Sequence, residues 1–299
     1  MTSTTALTPP NLPLSPIVAG AWRMADWGFG VQQRLAWIEQ CIELGITSFD
    51  HADIYGSYTV EALFGQALAA SPGLRERLQI VGKCGIKLVA LQRPGHAVKS
   101  YDSSRAHVVA SVDASLQALH TDRLDLLLIH RPDLLMDPDE LADTFRSLQA
   151  AGKVLQFGVS NHSPAELAML HRRFPLATHQ LELSALQMGA LADGTLAQCT
   201  DLGLRPMVWS PLGGGRLFTG QDAQAQRVRG VLQALAEQHG VGMATIAHAW
   251  ILRHPSRPLP IAGSSRIAAM QEAVAALSLR LSAEDWYRVW QASMGHEVP

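Results

Sequence analysis

Eight short apolar segments recur along the chain, separated mostly by stretches with helical periodicity, and this alternation limits the fold more than any other feature. The segments are 15–19, 47–51, 79–82, 124–130, 154–160, 177–181, 205–209 and 259–262. Stretches 31–44, 103–119, 141–151, 163–174, 228–239 and 267–277 carry apolar residues three and four apart; in the first, Leu35, Ile38, Cys41 and Ile42 share one face. Strands alternating with helices imply a parallel sheet covered by helices. Eight strands in about 250 residues favour an α/β chain built as a closed (β/α)8 TIM barrel over an open doubly wound sheet.

Boundary residues agree with these segments. Gly45 and Gly152 follow helical stretches, where helix C-caps belong. Asp137 and Ser163 occupy N-cap positions, and Glu166 completes a capping box with Ser163. No linker rich in Pro, Gly or Ser divides the chain, so residues 1–299 read as one barrel domain. The proline-rich start, ending near Leu14, reads as a small hairpin or cap across the barrel bottom. Residues 282–294 read as an extra helix after the barrel, with Trp286 and Trp290 packing.

Composition narrows the function. Lys plus Arg is 24 and Asp plus Glu is 26, a net charge of −2, without the basic excess that phosphate backbones require. No apolar stretch approaches the roughly 18 residues of a membrane span, and the start lacks a signal-peptide pattern. The cysteines Cys41, Cys84 and Cys199 are few, odd in number and far apart, which fits a reducing cytoplasm. There is no Gly-x-Gly-x-x-Gly after a strand, no Walker-type loop and no His-Glu-x-x-His, so neither a Rossmann domain nor a metal site is expected.

In such a barrel the chemistry sits at the strand C-terminal ends. The second segment ends in Asp50 with Tyr55 just beyond, the third in Lys83 and the fourth in His130. Consecutive strands are usually neighbours, so these four residues meet on one rim. A tyrosine hydroxyl, with a pKa near 10, is a poor proton donor at neutral pH. An ammonium about 4 Å away interacts with the phenolate by about 4 kcal/mol at an effective dielectric of about 20. That lowers the phenol by up to roughly three pKa units, less what desolvation of the lysine subtracts. Asp50 would keep Lys83 charged and oriented, and His130 would hydrogen-bond a substrate oxygen. The set suits proton exchange with a carbonyl or alcohol oxygen.

These motifs resemble the aldo-keto reductase superfamily and look closest to a bacterial oxidoreductase subgroup. The resemblance rests on Gly45-Ile-Thr-Ser-Phe-Asp-His-Ala-Asp-Ile-Tyr-Gly56, Ile80-Val-Gly-Lys83, Asp125-Leu-Leu-Leu-Ile-His130, Gly158-Val-Ser-Asn161 and Trp209-Ser-Pro-Leu212. It implies a carbonyl reductase dependent on a nicotinamide cofactor, with Asp50, Tyr55, Lys83 and His130 as catalytic tetrad and Tyr55 as proton donor. It implies that Ser160, Asn161 and Gln180 hold the nicotinamide carboxamide and that Trp209 lies against the ring. Ser210, Leu212 and Gly214 belong to a glycine-rich segment whose backbone would wrap the pyrophosphate, and Gly263, Ser264, Arg266 and Glu272 would hold the far phosphate end.

The family often carries Ile-Pro-Lys-Ser where this chain has Ile261-Ala-Gly-Ser264. Its later Arg-x-x-Glu-Asn retains only Glu272, between Ala269 and Ala273. Arg266 would then supply the charge toward a 2′-phosphate, favouring NADPH over NADH. Trp22 and Trp27 are expected to line the mouth for an apolar or aromatic aldehyde or ketone, beside Arg23 and Arg131. Two other readings stand: a barrel aldolase or isomerase with Lys83 as Schiff-base nucleophile, and a cofactor-binding regulator with little turnover.

Overall fold

The computed structural model describes residues 11–297. Eight parallel strands close into a barrel: β1 (Val18–Gly20), β2 (Ser48–Asp50), β3 (Gln79–Cys84), β4 (Leu124–Ile129), β5 (Val154–Ser160), β6 (His179–Glu182), β7 (Met207–Trp209) and β8 (Leu259–Ala262). Each strand pairs with its neighbours in sequence, and β8 returns to β1 through Val18 opposite Ile261. All eight expected strands are present, and the (β/α)8 reading is right.

The main helices are α1 (Val31–Glu43), α2 (Val60–Ala70), α3 (Arg105–Ala118), α4 (Pro138–Ala150), α5 (Pro164–His171), α6 (Thr195–Asp201), α7 (Ala223–His239), α8 (Met243–Leu252), α9 (Ile267–Ala275) and α10 (Ala283–Met294). The caps are where the sequence puts them. Asp137 accepts from the amides of Asp139 and Glu140, and Ser163 exchanges hydrogen bonds with Glu166. Gly45 and Gly152 take positive φ of 78° and 70° beyond their helices.

Periodicity does not announce α2, α6 or α8. Helix α8 is buried on every face from Ala244 to Ile251, so it has no polar stripe to betray its period. Helix α2 presents Gly65 to the end of α3, where a Cβ would meet the Leu119 Cα at 2.9 Å. The expected extra helix is α10. Its Trp286 stacks on Trp250 of α8 with centroids 5.2 Å apart, and each indole N–H donates to the other residue's carbonyl.

Strand parity places the site. Successive side chains on a strand point to opposite faces. Val18, Val81, Leu126, Leu128, Met207, Leu259 and Ile261 fill the barrel interior, while Ile17, Phe49, Ile80, Phe157 and Val159 face the helices. Leu12 and Leu14 join the interior cluster and close it from one end, as a cap should; residues 1–10 lie outside the described range. Toward the C-terminal ends the inward positions carry polar or amphipathic groups: Lys83 above Val81, His130 above Leu128 and Trp209 above Met207, with Asp50 above the small Ser48 and Ser160 above Gly158. No helix among the described residues is long and apolar enough to cross a membrane.

Candidate active site

Lys83 organises the centre and is 1% exposed. Its ammonium donates to both carboxylate oxygens of Asp50 at 2.7 Å, to the His51 carbonyl at 2.7 Å and to the Tyr55 hydroxyl oxygen at 3.0 Å. An ammonium has no lone pair, so Tyr55 must accept. The Tyr55 O–H therefore keeps its own proton, for which the Asp50 carboxylate is the nearby acceptor. The ring of His130 stands edge-on to Tyr55, with centroids 6.0 Å apart. The four sequence-predicted residues thus converge.

Burial would strip Lys83 of its proton, but Asp50 and Tyr55 more than offset it and hold the ammonium above its ordinary range. The Tyr55 phenol departs from expectation. Its own burial, helped by the Asp50 charge, outweighs the pull of Lys83 and pushes the phenol up to about 12. Tyr55 is thus a fully protonated acid at neutral pH, where the sequence suggested an acidified one. Burial, then the charges of Lys83, Arg131 and Lys99, push His130 well below the usual imidazole range. His130 is neutral, with Nδ1 buried and unbonded among the described residues.

The residues expected at the carboxamide lie beside this centre. Asn161 follows β5 in the left-handed region at φ 59°, a conformation uncommon for a residue with a Cβ. Its Nδ2 donates to the Ser160 hydroxyl at 2.6 Å, and its Oδ1 accepts from the Trp209 indole at 3.0 Å. Trp209 is pinned in place, with the Arg131 guanidinium 5.7 Å from its ring centroid. Gln180 Nε2 donates to Asp50 Oδ1 at 2.8 Å, a link the sequence did not suggest. Glu182, two residues beyond Gln180 on the same face of β6, is also new; burial raises its carboxyl although Arg131 lowers it. Parity with Gln180 was the available signal.

The outer groove is more open. Ser210 has φ 52°, and Gly213, Gly214 and Gly215 have φ of 59°, 65° and 99°, values costly for side chains but easy for glycine. Arg23 reaches across to donate to the Gly214 carbonyl at 3.3 Å. Leu212 is half-buried beside this turn. Beyond β8, Gly263 and Arg266 are exposed, the Ser264 carbonyl accepts from the Trp37 indole, and the Ser264 hydroxyl accepts from the Arg266 amide. The Glu272 carboxylate lies against Gly242, and its carbonyl accepts from Thr245. Trp22 is 57% exposed, with the Arg23 guanidinium 5.1 Å from its ring. Trp27 packs on Phe29 and Trp37, at 5.6 and 4.9 Å between centroids. Among the described residues no cluster of three or more His, Cys, Asp or Glu is placed to hold a metal.

Comparison with known proteins agrees with the barrel fold. The chain is 47% identical over 296 residues to the oxidoreductase YdhF of Escherichia coli (strain K12), covering 98% of each. It is 40% identical to a 6-dehydroglucose reductase of Agrobacterium fabrum, over 96% of this chain and 97% of that one. Its fold matches the glycerol dehydrogenase AKR11B4 of Gluconobacter oxydans at a TM-score of 0.84 and 23% identity, covering 99% and 97% of the two chains. The model of the aldo/keto reductase family matches residues 16–293, and the chain belongs to that family.

Proposed function

We propose that the protein reduces aldehydes or ketones to alcohols with NADPH, NADH being the weaker alternative, and that Tyr55 gives the proton. The observation that carries this reading is the 3.0 Å bond from the Lys83 ammonium to the Tyr55 oxygen, which makes the hydroxyl an acceptor toward Lys83 and keeps its own proton to give. Bound reduced nicotinamide supplies a hydride to the carbonyl carbon. Tyr55 and the neutral His130 hydrogen-bond the carbonyl oxygen and stabilise the charge that develops there, and Tyr55 transfers its proton to that oxygen. Asp50 holds Lys83 in line throughout.

The donor set fits the cofactor. A carboxamide needs acceptors for its NH2 and donors for its oxygen. Gln180 offers a carbonyl oxygen, and Ser160, whose oxygen already accepts from Asn161, keeps its own proton to give. Trp209 supplies a flat wall, and the Gly213–Gly215 turn exposes backbone amides for the pyrophosphate. Ser210, Leu212 and Gly214 would line that passage, and Gly263, Ser264, Arg266 and Glu272 the phosphate end. Trp22 and Trp27 face the small-molecule carbonyl from the β1 loop.

A Schiff-base role for Lys83 needs a neutral amine with a free lone pair. Here three acceptor groups occupy its protons, and its charge is held above the ordinary range. The test is fluorescence titration with NADPH and NADH, followed by turnover at 340 nm over aromatic and hydroxylated aldehydes and ketones. Saturable binding with turnover is expected. Absence of binding to both cofactors overturns the reading, and binding without turnover over the whole panel replaces it with the regulatory one.

A further inference from the structure

Gln180 and Asp50 sit 130 residues apart in sequence, and barrel closure brings their buried side chains to 2.8 Å. A carboxylate only accepts hydrogen bonds, so the amide of Gln180 has one permitted orientation, NH2 toward Asp50. Its second N–H is directed at the Met207 sulfur, 3.9 Å away. The carbonyl Oε1 carries no hydrogen bond among the described residues, and it is the end left for a ligand. We infer that Asp50 sets the polarity of the cofactor seat: by fixing which end of the Gln180 amide is presented, it couples the seat to the Lys83–Tyr55 proton donor. Asp50 is here a positioning residue toward the cofactor, acting only through Gln180. The inference rests on the cofactor reading proposed above.

Two consequences separate this from a purely local structural bond. Asp50 never touches the ligand, yet its charge decides whether the seat offers an acceptor or a donor. Coupling is also reciprocal, so a cofactor amide bonded to Oε1 favours the Asp50 orientation that holds Lys83. Asp50→Asn reverses the arrangement. The Asn oxygen goes to the Lys83 ammonium, its NH2 faces Gln180, and Gln180 turns to meet it with Oε1. The seat then presents NH2 to the NH2 of the cofactor carboxamide.

The test is a double-mutant cycle read by calorimetric binding of NADPH and NADH to the intact protein. Asp50→Asn is expected to raise both dissociation constants about tenfold, the scale of one mismatched buried hydrogen bond. It should leave binding of 2′,5′-ADP, which has no nicotinamide, unchanged. Introducing Asp50→Asn into Gln180→Leu should then cause no further loss. An unchanged NADPH constant in Asp50→Asn, multiplying effects in the double variant, or an equal loss for 2′,5′-ADP overturns the inference. Should Asp50→Asn fail to fold, Gln180→Glu answers instead. Its carboxyl must be protonated to bond Asp50, so NADPH affinity should fall as pH rises; an affinity parallel to wild type at all pH values overturns the proposal. Wild-type protein that binds neither cofactor takes down the functional reading as well, whereas normal wild-type binding with an unaffected Asp50→Asn removes this inference alone.

Discussion

Two buried polar clusters lie back to back around β2 and β3, and they are neutralised in opposite ways. On the barrel side, Asp50, Lys83, Tyr55 and Gln180 match donors to acceptors. On the helix side, His51, Asp53 and Glu61 leave both His51 nitrogens, Asp53 Oδ1 and Glu61 Oε1 without a bonded partner among the described residues. His51 packs its ring edge-on to Phe64 at 4.4 Å, and burial with the Lys83 charge drives it down to about 3. Burial, then its proximity to Glu61, raises Asp53 well above the usual carboxylate range; burial raises Glu61 to about 7 despite a bond from Ser115. One cluster keeps its charges by pairing them, and the other loses its charges by changing protonation. Pairing preserves a field that catalysis can use, whereas protonation only lowers the cost of burial.

The sharpest way to break the paired cluster is at its working end. Tyr55→Phe removes one oxygen and leaves the Asp50–Lys83 pair intact. It should lower kcat by about 10³-fold, within the range for a lost general acid, with NADPH affinity nearly unchanged. Steady-state turnover and fluorescence titration check both, and retained turnover would remove Tyr55 as the donor.

The unpaired cluster breaks through pH. Glu61 has its folded pKa raised to about 7 from an ordinary 4.5. An unfolded chain releases that proton as pH rises past 4.5 while the folded chain still holds it. The stability present below pH 4.5 is therefore lost as pH climbs to about 7 and is level above it. Asp53 adds to the loss in the same direction. Glu61→Gln should cancel its share, raising stability at pH 8 by up to about 3 kcal/mol while changing little at pH 4. Urea unfolding at the two pH values measures this; a pH slope identical to wild type would mean that Glu61 is not the group responsible.

The contrast also sharpens kinetically. With its phenol at about 12, Tyr55 stays protonated over the whole neutral range; in the proposed role it would serve reduction throughout, whereas alcohol oxidation would need the phenolate. Oxidation kcat should climb about tenfold per pH unit from pH 6 to 9, while reduction kcat lacks that slope. A plateau in oxidation beginning near pH 7 would show that Lys83 wins over burial.

The strands and the tetrad were legible because polar residues ending apolar strands stand out against the pattern. Asp50, Lys83 and His130 each sit two residues past an inward apolar or small one. Helix α8 was hidden by its all-round burial, and the packing of Trp27 on Trp37 left no trace in the local pattern. The Gln180–Asp50 bond depends on closure of strands 130 residues apart, which no local pattern carries. The direction of the Tyr55 shift escaped for a different reason. Coulomb attraction can be computed from an assumed distance, but the opposing desolvation depends on depth, which only the fold defines.

Neither cluster extends to the outer groove, and that is where the smallest effect belongs. Arg266 is exposed, on the approach to α9, and its side chain makes no bond among the described residues. A charge in that setting is screened by water and gains little from any one partner. If it meets a 2′-phosphate, Arg266→Ala should weaken NADPH by about fivefold and NADH hardly at all, the scale of a solvent-exposed ion pair. Raising the salt should shrink the difference, because exposed charges are screened whereas the buried Asp50–Lys83 pair is not. Parallel titrations with both cofactors at low and high salt decide it: equal losses would mean that Arg266 does not read the phosphate, and a salt-independent loss would mean that its charge acts out of reach of solvent.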